Sequence, residues 1–172
     1  MALRATTNLP HPVHRVTEVF TDEDFIRSSS ESVGGKLVSF ERNGALDSAF
    51  STKTVRTLPT NRLPDLARKF VGASITVTQL EDWSVPEADG SRTVDLTLTV
   101  SGAPLTVTAV ERLVTEGAGS RVDLEGTVTS TIPFLGAKIA AVAEPIIGKA
   151  LNLQAAHAQS WLENHPARPT DV

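Results

Sequence analysis

The sequence predicts an α+β domain in which a curved antiparallel sheet of about seven strands wraps on a long C-terminal helix. Three observations carry that expectation. Hairpin signals (Asn43-Gly44, Asp89-Gly90, Ser101-Gly102 and Gly117-Ala118-Gly119) recur between β-rich runs from Lys36 to Ser130, and such pairs supply the positive φ angles of tight turns. One run alternates cleanly, with Val94, Leu96, Leu98 and Val100 on one face and Thr93, Asp95, Thr97 and Thr99 on the other, as in a sheet covered on one side only. Beyond Pro133 the apolar spacing becomes helical and stays so to about Asn164.

The elements follow in order. Leu3, Ala5, Thr7 and Leu9 share one phase of a first strand. Pro10 and Pro12 end it, and Pro12 suits the first turn of a helix, where its missing N–H is not needed. Val13, Val16, Val19 and Phe20 have helical spacing, and Thr21 or Asp22 can cap a second short helix carrying Phe25 and Ile26. Gly34-Gly35 breaks that helix. Six strands then run over 37–41, 50–57, 75–83, 93–100, 105–115 and 122–130, interrupted by a short helix between Leu63 and Val71. In the last helix, Ile139, Val142, Ala143, Ile146, Ile147, Ala150, Leu153 and Trp161 fall on one face of an ideal wheel. Lys138, Lys149, Asn152, Gln159 and Glu163 fall opposite, together with Pro145. A mid-helix proline on the wet side should curve the helix around the sheet. Residues 1–164 read as a single domain and 165–172 as a flexible tail.

Composition bounds the function. Of 172 residues, 40% are hydrophobic and 21% charged, and the net charge of -4 comes with no cluster of Lys and Arg, so nucleic acid is not an expected partner. The absence of cysteine removes thiolate chemistry and Cys-ligated zinc and fits a cytoplasmic location. The first residues lack the apolar core of a signal peptide. The longest apolar stretch, 132–153, contains Lys138, Glu144 and Lys149; each charge costs roughly 2.5–3.5 kcal/mol at a bilayer centre, which argues against stable membrane insertion. His11 and His14 have no third ligand at a recognised spacing, so no metal or cofactor is expected. No phosphate loop, nucleophile elbow or dinucleotide fingerprint occurs.

Particular segments add a resemblance: Arg56-Thr57-Leu58-Pro59, Leu63-Pro64, Lys69-Phe70-Val71-Gly72, Glu81-Asp82-Trp83 and Ile132-Pro133-Phe134-Leu135-Gly136-Ala137-Lys138-Ile139. With the element order, they resemble the START-like (SRPBCC) superfamily of the helix-grip fold, which includes birch pollen allergens, lipid-transfer domains and polyketide cyclases. More narrowly, they resemble an uncharacterised actinobacterial domain of unknown function, family 2505. The resemblance spans nearly the whole chain. It implies a hydrophobic cavity between sheet and helix and the binding or carrying of a lipid-like or aromatic small molecule, by a monomer or homodimer. It transfers no active site.

The candidate cavity residues come from the phases above. His157 falls near the centre of the wheel's apolar face, with Gln154 beside it, one turn earlier. The pair can orient a polar ligand group, and a histidine can move protons near neutral pH; the commoner state of such a residue is a core histidine bonded to a strand carbonyl or carboxylate. Glu111 shares phase with Leu105, Val107, Ala109 and Leu113, which would turn it inward toward His157, whereas Val110, Arg112 and Val114 claim the opposite phase. A bulge can satisfy both halves, and a solvated strand charge is the more ordinary outcome. Gln79 follows Ile75 and Val77, and Trp83 ends that phase as a rim or core residue. Leu96 and Leu98 from the clean strand, and Ile146, Ala150 and Trp161 from the helix, complete the lining. Three functions compete: a non-catalytic binder of an apolar small molecule, a cyclase or dehydratase using His157 with a strand carboxylate, and a protein-interaction module without a ligand.

Overall fold

The computed structural model describes residues 2–134 and 136–166. In chain order these form β1 (Ala2–Leu9), α1 (Val13–Phe20), α2 (Glu23–Ser32), β2 (Lys36–Asn43), β3 (Phe50–Pro59), α3 (Asp65–Arg68), β4 (Ser74–Trp83), β5 (Arg92–Ser101), β6 (Leu105–Glu116), β7 (Gly119–Ser130) and α4 (Gly136–Asn164). The seven strands make one antiparallel sheet ordered β1-β7-β6-β5-β4-β3-β2. First and last strands are therefore neighbours, and α1 and α2 carry the chain from one sheet edge to the other. The α4 helix packs on β1 and β7 and on the two short helices. This is the α+β architecture that the turn signals and the terminal helical pattern predict.

Local chemistry sets the boundaries. Pro12 precedes the first residue of α1, and the Asp22 carboxylate caps α2 by accepting from the Phe25 N–H at 3.0 Å. Gly90 takes a φ of 87°, which an L side chain resists, at the turn between β4 and β5. At Gly126 the reason is space: it pairs with Ala109, and an added Cβ would lie 2.5 Å from the Thr108 carbonyl oxygen.

Two apolar clusters fill the space under the sheet. One joins α1 and α2 to the C-terminal part of α4 through Val16, Phe25, Trp83, Val94, Leu113 and Ala158. The other gathers Leu3, Leu96, Val107, Ala109, Leu124 and Ala140, with Ile147 and Leu151 against it. The outer face is wet and threonine-rich, as at the Thr108–Thr127 pair, whose hydroxyls are 3.1 Å apart.

The helix meets the sheet on a different stripe from the one the wheel selects. Ala140, Ala155, Ala158 and Leu162 are buried, whereas Ala150 is exposed and Leu153 is 51% exposed. The gripping stripe is turned by roughly 100° about the axis, one residue's step. Hydropathy favours large side chains, but close approach favours small ones: the alanines let α4 press against its neighbours. Pro145 is exposed, on the side the wheel assigns it. His165, read from sequence as tail, stacks on Trp161 with ring centroids 4.1 Å apart; residues 167–172 lie outside the described residues. Among the described residues no helix is long and apolar enough to cross a membrane.

Candidate functional site

The boundary between the two clusters is polar. On β6, Glu111 separates Ala109 of one cluster from Leu113 of the other; on α4, Gln154 separates Leu151 from Ala158. The pairing of β6 with β5 is unbroken from Leu105 to Leu113, so no bulge turns Glu111 outward. The bulge lies on β2 instead, between Leu37 and Ser39. Glu111 faces inward, and the solvated position is overturned because strand phase and register put it under the helix.

Two adjoining voids lie along this seam, with about 30 and 40 Å³ of space open to the centre of a water molecule. That is room for a few waters. Glu111, Leu124, Leu151 and Gln154 line both. The first void extends to Ala5, Thr7 and Phe20, the second to Gln79, Leu96 and Leu98. Glu111 keeps partial contact with water-sized space through these voids while protein encloses it.

That enclosure controls its charge. Burial first, and the negative charge of Glu81 second, push the Glu111 carboxyl up to about 8. At neutral pH Glu111 is a neutral acid, able to donate a hydrogen bond or a proton into the voids. Among the described residues its carboxyl has no hydrogen-bond or ion-pair partner. Glu81 differs: it accepts from Thr52 Oγ1 and Trp83 Nε1, each at 3.0 Å, and from the Gln79 amide. Arg56, in phase with Thr52 and Thr54, is half-buried nearby with a buried, unpartnered Nε. Burial lowers its pKa and the charge of Glu81 opposes that.

Of the ten candidates from sequence, the structure brings Gln79, Leu96, Leu98, Glu111 and Gln154 to the voids. The other five stand elsewhere. His157 Nε2 lies 3.1 Å from the Ser28 hydroxyl of α2, and its ring stacks on Phe25 at 5.4 Å. It lines neither void, so the pairing of His157 with Glu111 that a cyclase or dehydratase mechanism needs is absent. The cause is the turned helix: one residue's step carries His157 off the sheet and onto α2. Trp161 meets Phe25 edge-on at 5.8 Å. Trp83 is buried and stacked on Phe50 at 5.2 Å. Ile146 is half-buried on the helix flank, and Ala150 faces solvent.

Sequence reasoning missed Glu81, Arg56 and Leu151. Glu81 was findable, since it continues the phase of Ile75, Val77 and Gln79 and precedes Trp83 by two. Arg56 gave no apolar alternation to follow, because its inward neighbours on β3 are threonines.

One curved antiparallel sheet, with short helices and a long closing helix on its covered face, defines the helix-grip class. The chain belongs within it to the DUF2505 family, described as a protein of unknown function, which matches residues 4–162. The "Uncharacterized protein Rv0481c" of Mycobacterium tuberculosis is 24% identical over 121 residues, covering 69% of each chain. Among solved structures, the Zhui aromatase/cyclase from Streptomyces sp. R1128 aligns with a TM-score of 0.62 at 12% identity, over 100% of this chain and 99% of that one. Norcoclaurine synthase from Thalictrum flavum, in complex with dopamine and hydroxybenzaldehyde, aligns at 0.54 and 10% identity, over 98% and 89%. At these identities the likeness establishes the fold.

Proposed function

We propose that the protein binds or carries a small molecule with an apolar body in the space between the sheet and α4. The observation that carries this reading is the pair of adjoining voids along the seam, walled by Leu96, Leu98, Leu124, Ile147 and Leu151 and open to only a few polar groups. Ligand chambers have that character, although they typically reach about 300 Å³ or more. The voids are narrower, so a ligand must lift α4 from the sheet. The helix is suited to this: three of its four buried residues, Ala155, Ala158 and Leu162, lie in the C-terminal third, leaving the N-terminal part more weakly held. Two fold neighbours, an aromatase/cyclase and a synthase complexed with dopamine and hydroxybenzaldehyde, support the reading by analogy of fold.

Fluorescence titration of the full chain with the neutral apolar probe N-phenyl-1-naphthylamine tests it. Saturable binding at one probe per chain, weakened by Leu151→Trp, is expected. Absence of saturable binding, or binding indifferent to Leu151→Trp in a folded variant, overturns it.

A further inference from the structure

We propose that the seam selects an apolar molecule carrying a basic amine, and that Glu111 receives the ammonium group. This rests on the ligand-binding reading above and specifies its ligand. On the covered face of the sheet the charged side chains are Arg56 on β3, Glu81 on β4, Arg92 on β5 and Glu111 on β6, and of these Glu111 lines the voids. Arg56 and Glu81 attract one another, and the Arg92 guanidinium is taken up by the carbonyls of Leu46, Ser48 and Ser84, so neither cation is matched to Glu111. Glu111 is the unmatched acid: enclosed, lining both voids, and without a hydrogen bond or ion pair among the described residues. Around it, β1 and β7 contribute Ala5, Thr7 and Leu124, α1 contributes Phe20, and α4 contributes Leu151 and Gln154. The remaining acidic side chain on the inward stripe of α4 is Glu144, whose Oε2 is buried and unpartnered.

Recognition follows from the donor and acceptor inventory. An ammonium has three N–H donors and no acceptor. Glu111, Gln79 and Gln154 all line the second void and all carry acceptor oxygens. The Gln79 amide N–H already donates to Glu81, which leaves its carbonyl oxygen available. A carboxylate ligand would enter a site where Glu81 already opposes negative charge on Glu111. A neutral alcohol can hydrogen-bond there but neutralises nothing. Because Glu111 holds its proton at pH 7, an incoming ammonium displaces it, and one proton leaves for each amine bound.

Isothermal titration of the full chain with octylamine, octanol and octanoate at pH 7, in two buffers of different ionisation enthalpy, tests the proposal. Octylamine should bind tighter than octanol, the charge pair outweighing the roughly tenfold cost of displacing the Glu111 proton at pH 7. Octanoate should bind weakest, and close to one proton should be released with the amine. In Glu111→Gln the amine-to-alcohol affinity ratio should fall to about one and proton release should vanish. An amine no tighter than the alcohol, a preference that survives Glu111→Gln, or binding without proton release each overturns amine selection while octanol binding leaves the chamber reading standing. Failure of all three ligands and of the neutral probe overturns both.

Discussion

Gln154 of α4 and Glu111 of β6 face the same two voids, one from the helix and one from the sheet, at the line where the two apolar clusters part. A fold of this size can bury a continuous core, so polar groups held on that line are a cost unless something pairs with them.

The size of that cost is measurable through pH. Folded Glu111 keeps its proton up to about pH 8, whereas an ordinary glutamate loses it near 4.5. Between those values the folded chain binds more protons than the unfolded chain, so this group's contribution makes stability fall as pH rises, reaching its full extent above about 8. At 1.36 kcal/mol per tenfold change in proton affinity, the loss approaches about 4–5 kcal/mol. Glu111→Gln removes the ionisation at nearly constant volume. Thermal melts should give similar midpoints near pH 4.5 and a variant about 10 °C more stable at pH 9. Parallel curves for the two proteins would show that Glu111 ionises without penalty.

Arg92 shows what a fully paired buried cation does in the same sheet. It is 5% exposed and donates to the carbonyls of Ser84 at 3.0 Å, Ser48 at 3.2 Å and Leu46, with its guanidinium carbon 5.3 Å from the Phe50 ring centre. It ties the segment joining β2 and β3 to the start of β5. Burial lowers its pKa, and Asp47 opposes that, but the group stays charged. Arg92→Met keeps much of the packing and leaves three carbonyls without their donor. A loss of about 2–4 kcal/mol in urea unfolding is expected, with unchanged pH dependence. A loss below about 0.5 kcal/mol would mean that water replaces the guanidinium.

The sheet was legible because each strand carries a local signal. Turn pairs such as Asp89-Gly90 fix where strands end, and the Val94–Leu96–Leu98 alternation fixes which face is covered. The phase of Glu111 was half legible, since Leu113 and Val114 support opposite faces and only the pairing with β5 decides between them. The helix was legible in extent but not in rotation. Its apolar residues cover more than half the circumference, and steric fit among Ala140, Ala155 and Ala158 chooses the stripe. That choice depends on partners distant in sequence, which no wheel contains. The partner of His157 was out of reach for the same reason, because Ser28 lies 129 residues away.

Gly126 provides a test of close packing next to the voids. An added Cβ would lie 2.5 Å from the Thr108 oxygen and 2.6 Å from the Ala109 Cβ. Both atoms belong to the neighbouring strand, and neither is the end of a flexible side chain. Gly126→Ala must therefore part β6 from β7, at about 1–3 kcal/mol. The amides of the β6–β7 ladder should exchange faster in hydrogen-exchange measurements, while those of the β2–β3 ladder stay unchanged. Uniform loss of protection would point to a global effect.

His157 separates structural from ligand-binding roles on α4. Its ring stacks on Phe25 and its Nε2 meets the Ser28 hydroxyl, away from both voids. An aromatic stack and a part-buried hydrogen bond are each worth about 0.5–1.5 kcal/mol. His157→Ala removes both and should cost about 2 kcal/mol; Ser28→Ala removes only the hydrogen bond and should cost about 1 kcal/mol. In a double-mutant cycle the two losses should be less than additive, because the hydrogen bond is lost only once. Neither change should alter the affinity for the neutral apolar probe at temperatures where the variants remain folded. Weakened probe binding by His157→Ala at full foldedness would place His157 in the path of the ligand. It would also mean that α4 rotates when it lifts, carrying His157 back toward the sheet.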